Sequence, residues 1–145
     1  MDAIEVLVED HRAVNRAFLR YEDLPAGATA DRREAVEEIK RRLTLHTATE
    51  QHFLHPLIAA VLPNGYDIVS GEVQDHRELA KLARRLESEE GGEAARRLID
   101  LARAHMETEE RALFPLLRRS VEPEDLDALG ERIRTAREGC RPGTS

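Results

Sequence analysis

The two halves of the chain contain the same set of polar residues in the same order, and this repeat constrains the fold more than any other feature. Each half has an Asp-His-Arg triplet, then a His-x-x-x-Glu pair, then a Leu-x-Pro-Leu segment. In the first half these are Asp10-His11-Arg12, His46-x-x-x-Glu50 and Leu54-His55-Pro56-Leu57. In the second half they are Asp75-His76-Arg77, His105-x-x-x-Glu109 and Leu113-Phe114-Pro115-Leu116. Imidazole and carboxylate donors together suit iron, manganese or zinc better than calcium or magnesium. Two such half-sites facing each other would form a two-metal centre.

The spacing of apolar residues predicts four long helices separated by loops rich in helix breakers. The breakers are Leu24-Pro25-Ala26-Gly27, Pro63-Asn64-Gly65 and Gly91-Gly92. Asp31 and Ser70 are expected to cap the second and third helices. After the fourth helix, Pro123-Glu124-Asp125 is expected to open a short fifth helix that runs through Ile133.

Helices of this length joined by short loops pack antiparallel, so the sequence predicts an all-α, up-down-up-down four-helix bundle. The short C-terminal fifth helix should cover one end or side. Pro56 and Pro115 each follow a His-x-x-x-Glu pair at the same distance and should kink or end the regular helix. We expect one domain over residues 1–138 and a flexible tail over residues 139–145.

Composition and charge exclude several functional classes. The formal net charge of −7 disfavours nucleic acid or an anionic membrane surface as a partner. No segment approaches the roughly 20 apolar residues of a membrane span. The single cysteine, Cys140, cannot form an internal disulfide, which fits a reducing compartment. We therefore expect a cytoplasmic protein, present as a monomer or a weak dimer.

Helical geometry explains how the repeated residues could hold metal. Residues four apart lie on one face of an α-helix, so each His-x-x-x-Glu pair can address a single point. His11 and His76 lie on the apolar stripes of the other two helices. Burying four imidazoles and two carboxylates together would be very costly without a cation to neutralise them.

The order His, His-x-x-x-Glu, His, His-x-x-x-Glu resembles the hemerythrin-like domain, also called the HHE cation-binding domain. The resemblance covers residues 1 to about 120, and the repeated Leu-x-Pro-Leu segments support it. It implies a non-haem centre of two iron ions, bridged by oxide or hydroxide, inside a four-helix bundle. The implied terminal ligands are His11, His46, His76 and His105, and the implied bridging ligands are Glu50 and Glu109. Ferritin-like proteins use a different pattern, Glu-x-x-His with a lone Glu on each remaining helix.

One departure from the oxygen-carrying hemerythrins bears on function. Those proteins have a fifth histidine in the third helix, spaced His-x-x-x-His, whereas this chain has Ala80 one turn after His76 and Glu72 one turn before it. Six protein ligands would leave an open or weakly held position on both metals. Two open positions favour chemistry on peroxide or nitric oxide at least as well as reversible oxygen storage.

The sequence leaves several nearby residues without a firm role. At about 100° per residue, His52 and His55 lie away from the metal face defined by His46, and we expect both to be dispensable. His55 corresponds to Phe114 of the second half, which indicates packing near the kink at Pro56.

The acidic neighbours of the histidines have two interpretations each. Asp10 and Asp75 could orient an imidazole or could pair with the arginines two positions later. Glu72 could reach a metal in place of the missing histidine, but an acidic residue in a helix's first turn is the preferred interpretation. Nothing in the spacing of Tyr21 and Tyr66 connects them to the site.

These patterns support one function and leave others open. The favoured function is a di-iron protein that reacts with peroxide or nitric oxide, with peroxidase- or catalase-like turnover and an unidentified electron donor. The alternative is a module that binds or senses oxygen or iron without turnover. A third possibility is a metal that only holds the bundle together. The sequence does not decide whether the protein is an enzyme.

Overall fold

A computed structural model describes residues 1–88 and 91–139 of the chain, and these residues form helices and loops without a strand. The all-α four-helix bundle predicted from the sequence is confirmed, with a further helix at the C-terminal end. Its helices are α1 (Ala3–Asp23), α2 (Thr29–Thr49), α3 (His55–Val61), α4 (Gly65–Arg84), α5 (Gly91–Thr108), α6 (Phe114–Ser120) and α7 (Pro123–Gly139). None of these helices is long and apolar enough to cross a bilayer.

Two π-helical turns make continuous rods out of the helices that carry the His-x-x-x-Glu pairs. One turn, Glu50–Leu54, joins α2 to α3, and the other, Glu109–Leu113, joins α5 to α6. Pro56 and Pro115 follow directly, at the start of α3 and α6. Because proline has no N–H to donate, the wider turn fits the backbone just before it. The kinks expected at the prolines are therefore π-helical turns.

The helix starts differ in two places from the sequence expectation. Helix α2 begins at Thr29 with Ala28 at its N-cap, so Asp31 lies inside the helix. Helix α4 begins at Gly65 instead of after Ser70. Gly65 lies so close to the end of α3 that a Cβ would be 2.3 Å from the carbonyl oxygen of Ile58. The absence of a side chain allows α4 to start immediately after the turn.

The apolar core consists of separate clusters on either side of the polar residues in the bundle. Val14 and Phe18 of α1 belong to one cluster with residues of α2, α4 and α5. Ile4 and Leu7 belong to another with residues of α3, α6 and α7. His11 lies between these two parts of α1, so the polar centre is sealed by hydrocarbon above and below.

Helix α7 packs on α1 and extends to Gly139. A Cβ at Gly130 would be 2.4 Å from the carbonyl oxygen of Met1, so glycine is what allows this close approach. The division into a domain of residues 1–138 and a flexible tail stays a prediction. Cys140 and the residues after it lie outside the described part of the chain.

Candidate metal centre

Each of the four long helices places one buried histidine at the centre of the bundle. The four are His11 of α1, His46 of α2, His76 of α4 and His105 of α5, with exposed fractions of 3%, 3%, 5% and 6%. We call His11 with His46 the first half-site, and His76 with His105 the second half-site. All four Nε2 atoms lie within 4 Å of a carboxylate oxygen of Glu50 or Glu109.

Glu50 and Glu109 each contact both half-sites. Glu50 Oε1 is 3.3 Å from His46 Nε2 in the first half-site and 3.1 Å from His76 Nε2 in the second. Glu109 is 3.1 Å from His11 Nε2 and 3.5 Å from His105 Nε2. The two carboxylates are 0% and 1% exposed. They therefore lie in the position that bridging ligands would need.

Buried polar atoms without partners indicate where cations would fit. Glu50 Oε2, Glu109 Oε2 and His105 Nε2 are buried and make no hydrogen bond. Unpaired buried polar atoms are rare because each is costly. The structure brings potential ligand atoms within 4.8 Å of one another in two groups: His11, His46, Glu50 and Glu109 in one, and Glu50, Glu72, His76 and His105 in the other.

Glu72 was not assigned to the site from the sequence. The preferred interpretation, an acidic residue in the first turn of its helix, was wrong. Because α4 begins at Gly65, Glu72 lies about two turns inside the helix, where no first-turn effect applies. Glu72 is 8% exposed and its Oε2 is 3.3 Å from His105 Nε2. Ala80, the position of the missing fifth histidine, is exposed. A histidine there would not face the centre.

His55 was predicted to point away from the site, and this was also wrong. The π-helical turn inserts one extra residue, so the N–H of His55 bonds to the carbonyl of Glu50 five residues earlier. The turn therefore brings His55 above Glu50 on the same face, whereas a regular α-helix would have rotated it away. His55 is 6% exposed and stacks on His76, with ring centroids 5.3 Å apart. The sequence signal for this position was its equivalence to Phe114 in the second half. In the structure Phe114 stacks on His11 just as His55 stacks on His76.

The remaining uncertain residues lie away from the centre. His52 is exposed, as expected. Tyr21 accepts a hydrogen bond from Arg32, and Tyr66 is 80% exposed.

Carboxylates behind the imidazoles fix their orientation. His46 Nδ1 donates to Asp10 at 3.2 Å, and His105 Nδ1 donates to Asp75 at 2.8 Å. Each aspartate thus orients the histidine of a neighbouring helix, not the one beside it in sequence. His11 Nδ1 has a third carboxylate, Glu110, at 3.0 Å. These contacts hold the Nδ1 protons outward and leave the Nε2 atoms facing inward.

Helix α7 reinforces the first half-site only. Arg137 donates to Asp10 Oδ1 and to Thr49 Oγ1, both at 3.0 Å. As a result the Asp10 side chain is 13% exposed, whereas the equivalent Asp75 is 44% exposed. No local sequence pattern predicts this long-range contact.

The crowding of charges shifts several pKa values. Burial lowers the pKa of His46, but the charge of Glu50 and the hydrogen bond to Asp10 outweigh burial and raise it to about 9. Burial also lowers the pKa of His105, but the nearby carboxylates of Glu50 and Glu72 and the hydrogen bond to Asp75 outweigh burial and raise it to about 9. Burial and the neighbouring Glu50 raise the pKa of Glu109 well above its ordinary value. At neutral pH the metal-free centre therefore carries protons on inward-facing atoms.

A cavity of about 480 Å³ leads from the surface to the second half-site. Its floor contains Glu72, His105 and Glu109, and its walls are mostly hydrocarbon from Ile68, Leu101, Ala104, Ala112, Leu113 and Leu116. A second, more polar cleft of about 510 Å³ reaches His11 between α1 and α5. The first cavity gives the more apolar access to the centre.

Comparison with known protein families agrees with this geometry. The sequence model described as hemerythrin HHE cation binding domain matches residues 2–117. The chain belongs to this hemerythrin family. Comparisons with curated proteins and with solved structures gave no match. The match covers nearly all of the four-helix bundle and every residue of the two half-sites, so the family and the donor geometry agree that these buried His and Glu groups could bind a metal.

Metal binding to the hemerythrin-like centre should release protons. His46 and His105, with pKa values of about 9, hold protons at pH 7 in the metal-free form, and a metal can bind only their neutral Nε2 atoms. We expect about two protons, from His46 and His105, to leave when the centre fills at pH 7. Calorimetric titration in buffers of different ionisation enthalpy measures this number. Metal uptake without net proton release would contradict the assignment.

Proposed function

We propose that this chain is a non-haem di-iron protein that reacts with a small molecule such as peroxide or nitric oxide. The observation that carries the proposal is the position of Glu50 and Glu109, because each of these carboxylates contacts a histidine of the first half-site and a histidine of the second. Two separate mononuclear sites would not need shared carboxylates. Two metals held side by side would need carboxylates that both can share.

The residues present fit two such ions. His11 and His46 would hold one, His76 and His105 the other, and Glu50 and Glu109 would lie between them. The donor set of imidazole and carboxylate favours iron among the abundant redox metals. Bound iron would supply one-electron redox steps and Lewis acidity towards a small oxygen- or nitrogen-containing molecule.

The protein's own contribution is orientation and exclusion of water. Asp10, Asp75 and Glu110 fix the ring orientation of three ligand histidines through their Nδ1 atoms. The apolar clusters above and below the centre keep bulk water out, which strengthens every electrostatic contact inside. Both effects preorganise the inward-facing donors.

The apolar cavity supports a small uncharged substrate. Among the described residues that line it, Asp67, Glu72, Asp75 and Glu109 are acidic and none is lysine or arginine. Anions would meet these carboxylates, whereas hydrogen peroxide, nitric oxide and oxygen carry no charge. The charge of the cavity therefore favours these three molecules over anionic ligands.

Gly71 offers a direct test of this access route. It lines the cavity, and a Cβ built at this position has nothing within 4 Å. We expect Gly71→Leu to slow the reaction of the iron-loaded protein with nitric oxide or peroxide several-fold by covering the cavity, with metal content unchanged. Replacing a helical glycine should also raise the free energy of unfolding by about 1 kcal/mol. Stopped-flow absorption and thermal unfolding measure the two effects.

Gly71→Ala is the matched control for this variant. It gives the same gain in helix stability but leaves most of the cavity open. Equal reaction rates for the leucine and alanine variants would show that small molecules reach the centre by another route.

An oxygen- or iron-binding module without turnover is the second candidate. Glu72 favours it, because a seventh donor, this time a carboxylate, near the second half-site removes one of the two open positions expected from six ligands. The first proposal has two further parts. Turnover of nitric oxide would need an electron donor, and the protein would act in the cytoplasm.

One experiment separates the two candidates. The iron-loaded protein is reduced without oxygen and then exposed to oxygen, hydrogen peroxide or nitric oxide while its optical absorption is followed. Repeated consumption of peroxide or nitric oxide would support the enzyme. A stable and reversible change with oxygen, without turnover of the other two, would support the binding module.

A further inference from the structure

The two half-sites differ at two positions where the halves of the chain are otherwise equivalent. One turn before the lone histidine, the first half has Leu7 and the second half has Glu72. The residue directly after each π-helical turn also differs. Phe114 follows the second turn and stacks on His11 of the first half-site, whereas His55 follows the first turn and stacks on His76 of the second half-site. The two positions thus hold apolar side chains, Leu7 and Phe114, on the side of the first half-site, and a carboxylate and an imidazole, Glu72 and His55, on the side of the second.

The two oxygens of Glu72 face different partners. Oε2 is 3.3 Å from His105 Nε2, on the side of the metal centre. Oε1 is 3.4 Å from His55 Nε2. Glu72 and His55 are 8% and 6% exposed, and neither Oε1 nor His55 Nε2 makes a hydrogen bond. A carboxylate buried this deeply and left short of partners indicates a place where a cation would fit.

We propose that Glu72 is a seventh protein ligand, which binds the metal of the second half-site only, and that His55 positions it. Glu72 belongs to the group of donors that converges with Glu50, His76 and His105, whereas His55 does not. The stacking of His55 on His76 turns its Nε2 towards Glu72 Oε1, so its N–H can donate to the oxygen that faces away from the metal. This inference rests on the proposed function, since it requires two metals in the centre.

The consequence is a centre with two unequal metals. The second half-site has one anionic donor more than the first, so its ion should be held more tightly. Because Ala80 is exposed, the extra donor comes from one turn before His76 and not from one turn after it. In this chain the second half-site thus has Glu72 beside His76 and His105 as a ligand that is not shared with the first half-site, and this ligand is a carboxylate instead of an imidazole.

Cobalt(II) provides a test that does not depend on activity. It can replace iron in such donor sets, and its visible absorption reports the number of ligands. We expect the parent protein to bind two cobalt ions and to release them to a chelator in two phases. The slower phase should be about tenfold slower or more, the size of effect that one ligand-supporting contact has on metal affinity.

The equivalent residues of the first half supply the matched variants. Glu72→Leu and His55→Phe each install the side chain that this fold already accommodates at the equivalent position. Glu72→Leu should abolish the slow phase and change the cobalt spectrum. His55→Phe should speed the slow phase about tenfold, and His55→Gln, whose amide can still donate to Oε1, should restore part of it. The control is His52→Ala, which changes an exposed histidine of the same π-helical turn.

The outcomes separate this inference from the proposed function. If the parent fails to bind two cobalt ions, the di-metal proposal itself fails. If it binds two, and Glu72→Leu has the same spectrum and release kinetics as the parent, only the seventh ligand is overturned. Should Glu72→Leu not fold, Glu72→Gln keeps the shape of the side chain and is judged by the same two readouts. In a His76→Ala background, which disrupts the second half-site, Glu72→Leu should have no effect on the remaining ion.

Discussion

Changing Glu50 to alanine is expected to remove both metals from the centre. Glu50 Oε1 lies 3.3 Å from His46 Nε2 and 3.1 Å from His76 Nε2, so its loss affects both half-sites at once. Contacts that merely support a ligand are worth 10–100-fold in metal affinity, and a shared ligand should exceed this, so we expect a loss of roughly 100-fold or more for each ion. Metal analysis after dialysis against a weak chelator measures the loss.

Variants at neighbouring positions make the test of Glu50 specific. Glu109→Ala should behave like Glu50→Ala, since Glu109 also contacts both half-sites. His76→Ala should remove one ion and leave the other. Glu50→Gln keeps the size of the side chain and shows whether the charge is what matters. If Glu50→Ala and His76→Ala each lose one ion only, the carboxylates do not bridge.

Removing the metal from the native protein is expected to lower its thermal midpoint by roughly 10 °C or more. A ligand at about 1,000 times its dissociation constant stabilises the folded state by about 4 kcal/mol. For a domain of this size, each kcal/mol corresponds to roughly 2–4 °C. The effect should be large here because three buried carboxylates lose their counter-charge and four buried imidazoles lose their ligand bond together. The carboxylates are Glu50, Glu72 and Glu109, and the imidazoles are His11, His46, His76 and His105.

Differential scanning calorimetry of loaded and chelator-treated protein measures this shift, and Glu50→Ala is the control. Because that variant should bind no metal, chelator treatment should leave its midpoint unchanged. A midpoint that is the same with and without metal in the native protein would mean that the centre does not bind its ions in the folded state.

The fold could be predicted because local signals agree with one another. Helical periodicity, breakers and the two repeated halves all indicated a bundle. Each His-x-x-x-Glu pair spans the last turn of an α-helix, up to the Glu at which the π-helical turn begins, so the spacing of four still places both side chains on one face. His46 with Glu50, and His105 with Glu109, were therefore assigned to one face from spacing alone. The structure brings both pairs to the centre.

The residues that were missed lie where regular geometry fails or where distant segments meet. His55 follows a π-helical turn, whose extra residue changes the register of everything after it. Glu72 depends on where α4 begins, and the close approach at Gly65 decides that start. Arg137 reaches Asp10 from across the chain, a contact that no local pattern encodes. In the alignment of the two halves, Glu72 is equivalent to Leu7 and His55 to Phe114, so at both positions a polar residue replaces an apolar one.

The number and identity of the bound metals test the central claim most directly. The protein is loaded anaerobically with iron(II), freed of excess metal, and measured by elemental analysis alongside protein produced in iron-supplemented cells. Two bridging carboxylates between duplicated histidine pairs predict two iron ions per chain in both samples. One ion per chain, or zinc from cells with no preference for iron on reloading, would contradict the di-iron centre.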